Sequence, residues 1–153
     1  MRIVLLLGQA LLSPVVAQSH PPLYVDKGAC PFECCTYRHW TVRKDTPLYN
    51  AVHGTKIVGM AKKGSRVQGV TGEVHTVPLK VKLKTGKEVY MLTRMGEGFW
   101  KTWDKGRVVE SNDENLNKRV APKSTWWVQI RLPNGVKGWS KSPENFGNID
   151  ACG

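Results

Sequence analysis

Residues 126–139, WWVQIRLPNGVKGW, read as two strands joined by a turn. Trp126, Val128, Ile130 and Leu132 recur at every second position and so share one face, while Trp127, Gln129 and Arg131 share the other. Asn134-Gly135 follows, and both residue types tolerate positive φ, which marks a tight hairpin. Val136-Lys137-Gly138-Trp139 then runs back. One half-buried hairpin of this kind needs partners, because two strands cannot bury a core alone.

The same alternation appears upstream. In residues 77–84, VPLKVKLK, the apolar positions Val77, Leu79, Val81 and Leu83 alternate with Pro78, Lys80, Lys82 and Lys84. Pro78 places the start of that strand at an edge or bulge. Lys63-Gly64, Thr85-Gly86, Lys105-Gly106 and His53-Gly54-Thr55 punctuate the chain as turns. A weak repeat relates Lys62-x-Gly64-x-x-Val67-x-x-Val70-Thr71 to Lys84-x-Gly86-x-x-Val89-x-x-Leu92-Thr93. Each copy reads as turn, strand and bend, which suggests two stacked or fused sheet units. Residues 111–124, SNDENLNKRVAPKS, carry no useful period and are expected as an exposed loop. Short strands rich in Val, Thr, Trp and Tyr at such spacing predict an all-β fold, a small antiparallel barrel or sandwich.

The first residues have a different character. MRIVLLLGQALLSPVVAQ combines an early Arg2, an apolar stretch from Ile3 to Leu12 and small residues before Gln18. That is the layout of a secretory signal over residues 1–17, and the apolar run is too short to span a bilayer. Lys27-Gly28-Ala29 before Cys30 lacks the apolar run of a lipid-attachment site. The expected product is secreted or periplasmic, with no membrane span. Its formal charge falls from +11 to +10 on loss of Arg2, an excess that favours anionic partners.

Three of the four cysteines, Cys30, Cys34 and Cys35, fall within six positions, and Cys152 is the second-last residue. Cys35 and His39 have a spacing that a helix would bring together for thiol catalysis, but Pro31 and the adjoining β-formers oppose a helix. No further His or Asn motif completes a nucleophilic site, so no catalytic residue is assigned and no enzyme is expected. Four thiolates could hold a metal, yet zinc ligands usually come as Cys-x2-Cys pairs, and adjacent cysteines in an extended chain point to opposite faces. An even number of cysteines in a small exported domain indicates disulfides instead. One of the three pairings joins the neighbours Cys34 and Cys35 and is strained. The other two tie the cluster to Cys152 and close one tiny loop, from Cys30 to Cys34 or to Cys35.

Several segments resemble the bacterial SH3-like (SH3b) modules of secreted proteins. They are Thr46-Pro47-Leu48-Tyr49, then Ile57-Val58-Gly59-Met60-Ala61-Lys62-Lys63-Gly64-Ser65-Arg66-Val67, and later Trp127-Val128-Gln129-Ile130 and Gly135-Val136-Lys137-Gly138-Trp139-Ser140. The resemblance covers about a third of the chain. It implies a small SH3-like barrel, or two fused SH3-like units, which the cysteines are expected to link at the termini. The layout is a Cys-containing lead-in at 18–39, a β domain at 40–141 with an insertion at about 76–124, and a tail at 142–153. The insertion departs from the family, as does the missing Asn-Val-Arg signature, which Trp40-Thr41-Val42-Arg43 only echoes.

The resemblance also implies a binding role toward cell-wall peptidoglycan or its peptides. Exposed aromatics beside cations can stack on sugar rings or peptide planes. Trp126 and Trp139 fit core positions, Trp139 because it follows a Gly as in SH3-like cores. The candidates for binding are therefore Tyr49, Trp100, Lys101, Trp103, Trp127 and Arg131. The rival expectation is a charge-driven polyanion binder. No cofactor is expected, and His20, His53 and His75 are expected as scattered surface residues.

Overall fold

The computed structural model describes residues 20–152, so the expected signal segment lies outside the described residues. The chain forms β1 (Tyr24–Lys27), β2 (His39–Val42), β3 (Thr46–Tyr49), β4 (Ile57–Ala61), β5 (Arg66–Thr76) and β6 (Leu79–Lys82). It continues as β7 (Glu88–Gly96), β8 (Phe99–Asp104), β9 (Arg107–Ser111), the one-turn helix α1 (Glu114–Asn117), β10 (Ser124–Arg131), β11 (Lys137–Ser140) and β12 (Phe146–Gly147). The fold is all-β.

Eight strands make one sheet that curls into a half-barrel: seven run in the order β12-β2-β5-β10-β11-β3-β4, and β1 lies off this path, paired to β5. β5 is its spine. One edge of β5 pairs with β10; the other pairs with β2 through Arg66, Val67 and Gln68 and with β1 through Glu73 to Thr76. The register slips between Gln129 and Ile130, leaving Val70 as an extra residue in β5. Such a bulge bends the strand and tightens the twist, which a curled sheet requires.

Trp40, Leu48, Val67, Val128, Ile130 and Phe146 fill the concave side, with Trp126 packed against them. This volume exists only because β5 offers glycines beneath the indoles. A Cβ on Gly69 would lie 2.7 Å from the Trp40 ring, and one on Gly72 would lie 2.5 Å from Trp126 Nε1. The buried polar edges are satisfied. Trp40 Nε1 donates to the Thr36 carbonyl at 3.0 Å, and Trp126 Nε1 donates to the Tyr37 hydroxyl at 3.2 Å. Tyr37 in turn donates to the Ala29 carbonyl.

Three expectations are corrected in this sheet and its neighbour. Trp139 is not a core residue. It stands opposite Tyr49 and Gln129 on the convex face, while Gly138 and Ser140 turn inward. The reason is space: a Cβ on Gly138 would lie 2.7 Å from Leu48 and 2.8 Å from Val58, so only the small residues of β11 fit inside. The Asn134-Gly135 turn is a three-residue Pro133-Asn134-Gly135 loop, closed by Gly135 N–H donating to the Leu132 carbonyl at 2.9 Å. Of the two turn residues only Gly135 takes positive φ, at +85°. The segment 111–124 is not simply a loop. Asp113 caps α1 by accepting from the Asn115 N–H, and Leu116 is fully buried.

Leu116 belongs to a second core, with Val81, Val89, Met91 and Trp100. That core underlies the meander β6-β7-β8-β9, built wholly from residues between Thr76 and Ser124. The sequence repeat maps onto the two sheets. Gly64 and Gly86 both turn with positive φ, and Val67 and Val89 enter the first and second cores respectively.

The cysteines form Cys30–Cys35 and Cys34–Cys152. The tail meets the lead-in at a single antiparallel bridge between Cys35 and Asp150: Thr36 N–H donates to the Ile149 carbonyl at 3.0 Å and Ala151 N–H to the Cys34 carbonyl at 2.8 Å. Arg38 reinforces this junction, donating to Asn148 Oδ1 and to the Asp150 carbonyl, both at 2.7 Å.

Candidate functional site

Directly opposed residues in antiparallel strands project to the same face, so the register maps the convex side of the half-barrel. One row crosses it as Thr71, Gln129, Trp139 and Tyr49. A second sets Trp127 opposite Glu73. A third runs His39, Gln68, Arg131 and Lys137. Tyr49, Trp127 and Arg131, three of the six expected binding residues, therefore share one face, joined by Trp139.

Trp127 is on the expected face but is not exposed. The turn after β3 folds back over it, and the His53 ring stacks edge-on at 5.1 Å. Only 5% of Trp127 remains accessible, and its indole N–H is buried without an acceptor among the described residues. The fold-back leaves a cleft of about 460 Å³ lined by Tyr49, His53, Gly54, Thr55, Trp127 and Lys141. None of these is acidic. The cleft thus combines the Tyr49 ring, the nearly covered Trp127, a hydroxyl, an ammonium and an imidazole, a set suited to a flat polar group carrying negative charge.

The other three expected residues lie in the four-stranded sheet, away from this cleft. Trp100 is buried, contrary to the expectation of an exposed aromatic. Its neighbours in the second core cover it, and its Nε1 donates to Asn117 Oδ1 at 2.9 Å. Lys101 and Trp103 take the opposite face. Trp103 meets the cross-strand Tyr90 edge-on at 5.8 Å, and Lys101 Nζ lies 3.3 Å from the Tyr24 hydroxyl. That hydrogen bond is the main reason the Lys101 ammonium is held above its ordinary pKa.

His20 is exposed beside Tyr90, as expected of a surface residue, but His53 and His75 are not scattered. His75 is buried, and it joins Glu73 to His53 in a chain: Glu73 Oε2 is 2.9 Å from His75 Nε2, and His75 Nδ1 is 3.1 Å from His53 Nε2. Glu73-x-His75 on one strand face was visible in the alternation of β5. The arrival of His53 was not, since it depends on a left-handed residue (φ +58°) in the turn that folds back.

All four cysteine sulfurs are consumed in disulfides, so the described residues offer no thiolate for metal or catalysis. Neither a protein-family model, nor a curated protein, nor a solved structure matches the chain. What the fold and surface define is an all-β, disulfide-linked protein with an aromatic and basic cleft on its convex face. No helix among the described residues is long and apolar enough to cross a membrane.

Proposed function

We propose that the protein is a secreted, non-enzymatic binding module of SH3-like build that holds a cell-wall polymer or its peptides. The observation that carries this is the cleft lined by Tyr49, Trp127, Thr55, His53 and Lys141, which lacks an acidic group. Peptide and sugar units of cell walls present flat polar faces and carboxylates. Aromatic faces take the former and cations the latter. Two disulfides, one spanning 118 residues, agree with assembly in an oxidising compartment.

A pull-down on purified peptidoglycan tests the proposal. Wild type is retained at both low and high salt; Tyr49→Ala and Lys141→Glu each reduce retention about tenfold. Absence of retention at either salt overturns it.

A second reading is a charge-driven polyanion binder. It draws on the row of Arg131, Lys137 and His39, none of which has an acidic partner among the described residues, within a chain of net charge +11. Such a complex weakens steeply with ionic strength, so it is retained at low salt and lost at high salt. Arg131→Ala together with Lys137→Ala then lowers the salt dependence, and Tyr49→Ala leaves binding unchanged.

A further inference from the structure

The chain Glu73–His75–His53 runs from a buried imidazole on the large sheet to an exposed one in the turn that covers Trp127. His75 is 9% accessible, so both of its nitrogens need partners inside the protein. Nε2 has one in the Glu73 carboxylate at 2.9 Å. An ionised carboxylate only accepts, so Nε2 carries the proton and Nδ1 presents its lone pair. His53 Nε2 faces that lone pair at 3.1 Å.

A straight N–H···N bond between the rings is one way to satisfy this geometry, and it is imperfect. The ring centroids are 4.9 Å apart, closer than they would be if both rings lay along the N···N line. At least one ring is therefore bent off the axis of an ideal hydrogen bond. Two nitrogens bound tetrahedrally to one ion at ordinary Zn–N lengths stand about 3.3 Å apart, within a few tenths of an ångström of the pair seen. The carboxylate behind His75 is the usual outer partner of a metal-bound imidazole: it fixes the tautomer and strengthens the ligand.

We propose that His53 Nε2 and His75 Nδ1 form a two-imidazole site for a borderline divalent ion of the zinc class, with Glu73 as the outer carboxylate. The donor set excludes hard cations, because no carboxylate oxygen faces the nitrogen pair, and imidazole prefers Zn²⁺, Cu²⁺ or Ni²⁺ to Mg²⁺ or Ca²⁺. Of the two rings only His53 lines the cleft, so the cleft is the side from which an ion would reach the pair. On binding, the His53 proton moves from Nε2 to Nδ1, so that both facing nitrogens present lone pairs to the ion. The site stands apart from the peptidoglycan proposal and survives its failure.

The test is titration of Zn²⁺ into the purified, untagged, disulfide-bonded protein by calorimetry. Long-range ¹H–¹⁵N spectra of the histidine rings are recorded in parallel. One equivalent binds, and the His53 ring switches to the Nδ1–H tautomer while His20 and His39 do not change. His53→Asn keeps a residue that tolerates the left-handed backbone and weakens binding at least tenfold. Glu73→Gln weakens it ten- to a hundredfold. No stoichiometric binding, an unchanged His53 tautomer, or undiminished affinity in His53→Asn would each overturn the assignment.

Discussion

Gly72 shows how much one side-chain position decides. Its missing Cβ is the space into which Trp126 Nε1 and the Tyr37 hydroxyl converge, with the Trp127 carbonyl 2.9 Å away. Gly72→Ala should cost about 2–3 kcal/mol, because the backbone on one side cannot yield. Thermal unfolding by circular dichroism checks this; a change below about 1 kcal/mol would contradict the packing. Tyr37 makes a second, pH-dependent prediction. Burial raises its pKa, only partly offset by the Trp126 hydrogen bond. A phenol whose folded pKa is raised contributes stability that is fully present below its unfolded pKa, about 10. That contribution is lost as pH rises through the folded value. Absorbance titration at 295 nm should show one tyrosine ionising above the rest, and Tyr37→Phe should remove it.

At the scale of elements, alternation alone placed most side chains on the right face. Trp126, Val128 and Ile130 point inward and Trp127, Gln129 and Arg131 outward, as period two requires. It misjudged burial wherever another segment crosses a strand's outer face. Trp127 lies under the turn carrying His53. Trp100 was misjudged for another reason: it faces the second core, whose Leu116 and Asn117 come from α1. The lead-in and the tail form an element of their own, closed by two unequal bridges. In the chain-entropy model, loss of Cys34–Cys152, with its separation of 118 residues, costs about 5 kcal/mol. Loss of Cys30–Cys35, with a separation of 5, costs about 2 kcal/mol. Urea unfolding of the double variants Cys34→Ser/Cys152→Ser and Cys30→Ser/Cys35→Ser should show that order, and a reversal would mean the long bridge is not the main constraint on the unfolded chain.

For the whole molecule, the two cores predict two units of stability. The meander β6–β9 with α1 buries Val81, Val89, Met91, Trp100 and Leu116 apart from the cluster around Trp40. Leu116→Ala removes a fully buried side chain and should cost about 3 kcal/mol. The loss should be local. Hydrogen exchange should accelerate in Leu79–Ser111 and stay near wild type in β2, β5 and β10. Uniform acceleration across both sheets would instead mean a single cooperative unit.

The amino-acid sequence by itself determined the β class, the paired faces of the hairpin strands, the turn positions and the presence of disulfides. These depend on properties local to a few residues: alternation, positive-φ tolerance and cysteine parity. Tertiary structure alone decided which cysteines pair, that Trp139 turns outward, that Trp100 is buried, and that His53 meets His75 and Glu73. Each of those rests on contacts between segments far apart in the chain, where available volume, not residue preference, selects the outcome. The cleft beside Tyr49 exists for the same reason: a short turn folds back across a strand face that would otherwise lie open to water.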